Sequence, residues 1–121
     1  MKILDTNILI YSFSEAYQYL RELVWNEDST ASEITRLETL GFHGLKMDEE
    51  NYYKDVFIVL QTYRIGPNVL DEAIRLRRAY KMKLGDSIVA ATAVLNGLEL
   101  YTRNVADFNK IPGLKVVNPI N

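Results

Sequence analysis

The chain has 121 residues, 48% hydrophobic and 25% charged, with a formal net charge of -2. That composition fits a single domain over residues 1–121, which buries about two-thirds of its unfolded surface on folding. The absence of cysteine excludes disulfide frameworks, zinc-thiolate sites, thiol nucleophiles and iron-sulfur centres. The longest charge-free stretch, Ser87 to Leu98, has 12 residues against the ~20 of a membrane-spanning helix. Only Ile3 and Leu4 lie between Lys2 and Asp5, too few for a secretory signal, so a soluble, cytoplasmic protein with no membrane contact is expected.

In chain order, Ile3 and Leu4 form a short apolar strand that ends at Asp5-Thr6-Asn7, residues that cap a helix running through Ile8 to Phe13. Ser14 starts a second helix carrying Tyr17, Leu20, Leu23 and Val24. Thr30 to Ser32 reads as a brief strand before a helix on which Ile34, Leu37, Leu40 and Gly41 share one side, closed by Gly41 and Gly44. Asp48 is the expected cap of the next helix, with Tyr52, Tyr53, Val56, Phe57 and Leu60 at roughly helical spacing.

Tyr63 to Ile65 reads as a short strand ahead of Gly66-Pro67. Leu70, Ala73 and Ile74 then open an amphipathic helix continuing to about Leu84. Its exposed side is basic, with Arg75, Arg78 and Lys81 and, beside them, Arg77 and Lys83. From Asp86 the segment Ser87 to Asn96 is apolar nearly all round, rich in alanine and stopped by Gly97, the pattern of a buried helix packed closely on a sheet. Leu98 to Thr102 is the following strand, succeeded by a short helix Val105 to Phe108, a turn at Pro112-Gly113 and a last strand Leu114 to Val117. Alternation of this kind predicts an α/β fold, a parallel sheet with helices on both faces. Ligands in such sheets bind outside the carboxyl ends of the strands.

Several oxygen-bearing side chains fall at those ends. Asp5 follows the first strand, Asp86 heads the buried helix, and Asn104 and Asp107 follow the strand ending at Thr102. Glu38 comes four residues after Ile34 and borders the apolar side of its helix. Carboxylates gathered in a partly desolvated cleft repel unless protons or cations neutralise them. A hard divalent ion does so with oxygen ligands and keeps sites for a phosphate and a water. Each acid taken singly is more simply explained as a helix cap. His43, the only histidine, lies between glycines in a helix-ending loop and reads as a surface residue, which leaves the usual nucleophilic triads without a base. Tyr11 and Tyr17 read as core or surface aromatics rather than as nucleotide stackers. Charge is unevenly distributed: residues 1–55 hold eleven acids and five bases, residues 56–121 five acids and nine bases. Separate acidic and basic surfaces would suit a polyanion held near bound cations.

Four ordered stretches carry a resemblance that spans the chain: Leu4-Asp5-Thr6-Asn7; Ser32 to Glu38; Gly85-Asp86-Ser87 through Ala93; and Thr102-Arg103-Asn104 with Asp107-Phe108. Together they resemble PIN-domain ribonucleases, and within these the VapC-type toxins of toxin-antitoxin pairs. The resemblance implies a three-layer sandwich with a parallel central sheet, and Mg²⁺- or Mn²⁺-dependent cleavage of RNA. By the same resemblance Asp5, Glu38 and Asp86 match the three principal acidic metal ligands, and Thr6 and Thr102 would hold carboxylates in place. Many PIN domains carry a further aspartate where this chain has Asn104. Asn104 can offer a carbonyl oxygen there, and Asp107 can supply the charge. Arg75, Arg78, Lys81 and Arg103 are candidates to hold the RNA backbone. A homodimer and a small antitoxin, with a tail that blocks the site and another end that binds DNA, are implied as partners.

Two other readings are distinguishable. Leu4-Asp5-Thr6-Asn7 superficially resembles the nucleophile loop of haloacid-dehalogenase phosphotransferases, but that loop needs a second acid where Asn7 stands, and a lysine for the phosphate. A catalytically impaired PIN-fold module that binds RNA or protein would bind RNA equally well with and without metal and never cut it.

Overall fold

The computed structural model describes all 121 residues. Five parallel strands, β1 (Lys2–Leu4), β2 (Ser29–Ser32), β3 (Gln61–Tyr63), β4 (Glu99–Tyr101) and β5 (Val116–Val117), form one sheet in the order β3-β2-β1-β4-β5. Around it lie α1 (Thr6–Phe13), α2 (Arg21–Val24), α3 (Glu33–Leu40), α4 (Met47–Val59), α5 (Pro67–Ala79), α6 (Leu84–Asn96) and α7 (Val105–Phe108), with a 3-10 segment, Glu15–Leu20, ahead of α2.

The central strand shows why the fold has three layers. Successive side chains of a strand face opposite sides, so Ile3 and Leu4 enter different cores. Ile3 packs with Leu76 of α5, Ala90 and Ala91 of α6, Phe108 of α7 and Leu100 of β4. Leu4 packs with Ile8 of α1, Val24 of α2, Val56 of α4 and Ala31 of β2. The buried alanines of α6 have little bulk between helix and sheet and let the two approach closely. Gly97 ends α6 in the left-handed conformation, φ 63°, which glycine adopts without a Cβ penalty. α3 touches α1, α4 and α6 and so bridges the two helical layers.

Several segments depart from the sequence expectation. β3 occupies Gln61–Tyr63 rather than Tyr63 to Ile65, because Leu60 is buried and closes α4 through its N–H to the Val56 carbonyl, so the chain enters the sheet at once. α5 stops at Ala79. Tyr80 turns to extended backbone there, and Tyr80 and Met82 pack on the larger core. Leu84 consequently belongs to α6, and Asp86 is the third residue of that helix rather than its cap. The segment after Ser14 is a 3-10 stretch interrupted at Tyr17 (φ -122°), followed by a single α-turn. α4 is capped at Lys46, whose N–H donates to Glu49 Oε1 at 3.3 Å, while Asp48 lies inside the first turn. β5 is confined to Val116–Val117, and Leu114 packs on the core outside it. In α3 the buried stripe is Thr35 and Thr39, and Leu37 is 66% exposed. Of the side expected inward, Ile34 packs on the larger core and Leu40 is half-buried while Leu37 and Gly41 are exposed, so the buried face is rotated toward Thr35 and Thr39 and Glu38 reaches Thr6 of α1.

Candidate active site

β1, β2 and β4 end together, and each delivers part of the site. Asp5 leaves β1 as the cap of α1, with Oδ1 accepting from Thr6 N–H at 2.8 Å. Its Oδ2 accepts from Thr102 Oγ1 at 2.8 Å and from Asn7 Nδ2 at 3.3 Å, and its own N–H donates to the Tyr101 carbonyl. The carboxylate is 4% exposed. Burial pushes its pKa up to about 6, with the charges of Asp86 and Glu38 adding to the rise and the bonds from Thr102 and Thr6 opposing it.

Glu38 is positioned by a relay of hydroxyls. Thr6 Oγ1 donates to Glu38 Oε1 at 2.6 Å, and Thr35 Oγ1 lies 2.9 Å from Thr6 Oγ1. A hydroxyl has one proton, and Thr6 uses it on the carboxylate, so Thr35 donates to Thr6. On its other side Glu38 sits against α6, where a Cβ at Gly85 would come within 2.8 Å of Oε2. Glycine thus leaves room for one carboxylate beside the next residue, Asp86. Asp86 is half-buried and has its pKa raised, first by burial and then by Asp107, with Lys83 opposing and Glu38 adding. Asp86 and Asp107 line a cavity of about 280 Å³ with Lys81, Met82 and Lys83.

Asp5, Glu38 and Asp86 thus come to one edge of the sheet, with Asp107 beside Asp86. None of them forms a salt bridge. The donor set is therefore oxygen-only and anionic, with Lys81 and Lys83 lining the cavity of Asp86 but in no salt bridge with it, and Asn7 Oδ1 adds a buried acceptor with no partner next to Asp5. These features fit a hard divalent cation. As the side chains stand, no three carboxylates enclose a common point, so water would fill the rest of the coordination shell, as Mg²⁺ prefers.

The remaining predicted residues are distributed as follows. Asn104 is exposed, and its N–H donates to Thr102 Oγ1 at 3.0 Å, so its backbone steadies the hydroxyl that holds Asp5. Arg103 lies over the Tyr11 ring at 5.1 Å and bonds the Tyr11 hydroxyl, while Tyr11 meets Tyr17 edge-on at 4.8 Å. Arg75 is exposed and is bound by Glu72 through Nε and Nη2. Arg78 and Lys81 are exposed, and His43 is an exposed loop residue. Asn7, Thr35 and Gly85 lie within the motifs noted in the sequence but carried no expected role in the site. Their signals were the Asn two residues after Asp5, a threonine three before Glu38, and a glycine directly before Asp86.

The sequence matches the PIN domain family over residues 2–114. The chain belongs to that family. A curated relative of this PIN domain, Ribonuclease VapC1 of Rickettsia felis, is 31% identical over 106 residues, covering 81% of this chain and 69% of that protein. A chain of a toxin-antitoxin complex from Klebsiella pneumoniae superposes with a TM-score of 0.81 at 37% identity, covering 100% of this chain and 99% of its own. FitAcB from Neisseria gonorrhoeae shares the PIN fold with a TM-score of 0.77 at 22% identity, over 98% of both chains.

Proposed function

We propose that this PIN-domain protein is a ribonuclease of the VapC type, the toxin of a toxin-antitoxin pair, which hydrolyses RNA phosphodiester bonds with Mg²⁺ or Mn²⁺. The observation that carries the reading is the set Asp5, Glu38 and Asp86, held at the strand ends by threonines and a glycine without a cationic partner. The kinship with Ribonuclease VapC1 and with a toxin-antitoxin complex supports it. Asp5, Glu38 and Asp86 would hold the ion, with Asp107 and the Asn104 amide at the periphery. The chemistry supplied by such an ion is polarisation of the phosphoryl group and acidification of a water. Thr35 and Thr6 keep the Glu38 carboxylate aimed, and Thr102 keeps Asp5 in place. With its only histidine in an exposed loop, the chain offers no imidazole for attack by the RNA 2′-hydroxyl, so water is the nucleophile.

The test is cleavage of RNA by the purified protein with Mg²⁺ or Mn²⁺, giving products free of 2′,3′-cyclic phosphate. EDTA, Asp5→Asn and Asp86→Asn are each expected to stop it. Cleavage that survives chelation overturns the metal mechanism, and metal-independent RNA binding with no cutting establishes the non-catalytic module instead. Expression in bacteria is expected to arrest growth, and the product of an adjacent small gene, the antitoxin, to restore it. Normal growth during strong soluble expression removes the toxin role and leaves a housekeeping nuclease. Exposed apolar side chains on α4, Ile58 and Val59, support a homodimer, which light scattering reads directly.

A further inference from the structure

The surroundings of the carboxylates differ sharply between their two flanks. On the side of the α5–α6 connection, the cavity shared by Asp86 and Asp107 is lined by Lys81 and Lys83. It adjoins a second hollow, lined by Ile74, Arg77, Arg78, Lys81 and Met82. Lys81 and Met82 line both, so the two hollows are neighbours. None of these four cations forms a salt bridge, whereas Lys54, Arg75 and Lys115 are each paired with a glutamate. The connection is anchored beneath them. Arg77 Nε donates to the Met82 carbonyl at 3.4 Å, and Tyr80 and Met82 pack on the larger core. Lys81 and Lys83 are both exposed and both line the cavity of Asp86, on either side in sequence of Met82, which packs on the larger core.

The flank toward α3 and α4 is the reverse. There Glu38 borders a hollow of about 130 Å³ that also contains Glu49, Phe42, Leu45 and Tyr53 and no cation. Asp48 and Glu50 add two more carboxylates in the same first turn of α4. Inside this hollow a phosphate meets two carboxylates, two hydroxyls and apolar surface, and the cations of this flank, Arg36 of α3 and Lys46 ahead of α4, do not line it.

We propose that the RNA strand is gripped on one flank of the cut only, along a cationic path made by Lys83, Lys81, Arg78 and Arg77 on the α5–α6 connection. This rests on the ribonuclease reading and assigns the strand its course. Phosphates on one side of the scissile bond are bound and those on the other are not, so one product fragment stays on the protein after cleavage and the other leaves unhindered. Because the path reads charge, it sets register along the backbone and carries no base preference.

Two measurements test it. Fluorescence anisotropy with a labelled 12-nucleotide single-stranded RNA of mixed sequence, in EDTA and over a range of salt, reads the contacts. Lys81→Ala and Lys83→Ala are each expected to weaken binding about three- to sixfold and to flatten the log-log salt slope by about 0.7. Lys46→Ala, on the opposite flank, is expected to do neither. In the second, a short RNA that the parent protein cuts is synthesised with a single uncharged methylphosphonate at each position in turn. Replacement on one side of the cut is expected to raise KM with kcat unchanged, and replacement on the other to be silent. Parent-like affinity and slope in both lysine variants, or equal losses on the two sides of the cut, overturn the one-sided path while leaving the nuclease intact. A parent protein that neither binds this RNA nor cuts with metal overturns the nuclease reading itself, and the path with it.

Discussion

Asp5 links protonation to folding. Burial pushes its carboxyl group up to about 6 in the folded chain from an ordinary 3.8, so the folded state holds the proton more tightly than the unfolded one. A group raised in this way stabilises the fold below its unfolded pKa, and the contribution is lost as pH rises through about 6. In EDTA, unfolding free energy is therefore expected to fall by up to about 3 kcal/mol between pH 4 and pH 8 from this residue. Asp86 acts in the same direction. Urea midpoints across that range check it, and a flat profile would mean that Asp5 is not desolvated. Thr102→Val removes the hydroxyl that donates to Asp5 at a fully buried position. It should cost about 2 kcal/mol near pH 8, where the carboxylate is charged, and less at pH 5. At this scale the acids were legible from their places after predicted strands and in recurring motifs. Thr6 and Thr102 were legible as carboxylate holders because they adjoin the motif acids, whereas Thr35 acts on Glu38 only through Thr6 and carries no charge or periodicity to mark it.

Among the elements, α6 carries the clearest division between stability and activity. Gly85 sits in its first turn with the Glu38 carboxylate where a Cβ would be. Alanine favours a helix over glycine, and Glu38 is a flexible side chain that can be displaced. Gly85→Ala is accordingly expected to melt no lower than the parent protein, yet to lose most of its cleavage and most of its stabilisation by Mg²⁺. Thermal melts with and without the ion, alongside activity, separate the two effects. The helices with alternating burial were readable from hydrophobic spacing, and so was the buried run of α6 with its glycine stop. The misplaced boundaries share a cause. At β3 and at the end of α5 the chain changes course because Leu60, Tyr80 and Met82 are drawn into the cores. Local spacing does not encode such tertiary pulls. On α3 the apolar spacing locates Ile34 but not the buried Thr35 and Thr39, whose hydroxyls find partners inside the protein.

For the molecule as a whole, the uneven charge of the sequence becomes an uneven surface. The acid-rich first half supplies the α3–α4 flank and the base-rich second half the α5–α6 connection, an arrangement that composition foreshadowed without locating. Unpaired carboxylates at the junction make the folded state the better cation binder. Mg²⁺ should raise the melting temperature of the parent protein by binding the folded state preferentially, and that increment should shrink in Asp86→Asn. An equal increment in both would show that Asp86 takes no part in holding the ion.

The strand order has a consequence in time. β1 is the first strand to be made, yet its full pairing needs β4, and the hydroxyl that secures Asp5 lies 97 residues later in the chain. While a ribosome is still translating residues before Thr102, Asp5 lacks that bond, Ile3 lacks Leu100 beside it, and no catalytic edge exists. Contacts this distant in sequence also close slowly. The translation machinery making this protein is thus not exposed to an assembled nuclease until most of the chain has emerged, and the interval before the sheet closes is one in which a partner can reach the newborn protein ahead of its own chemistry.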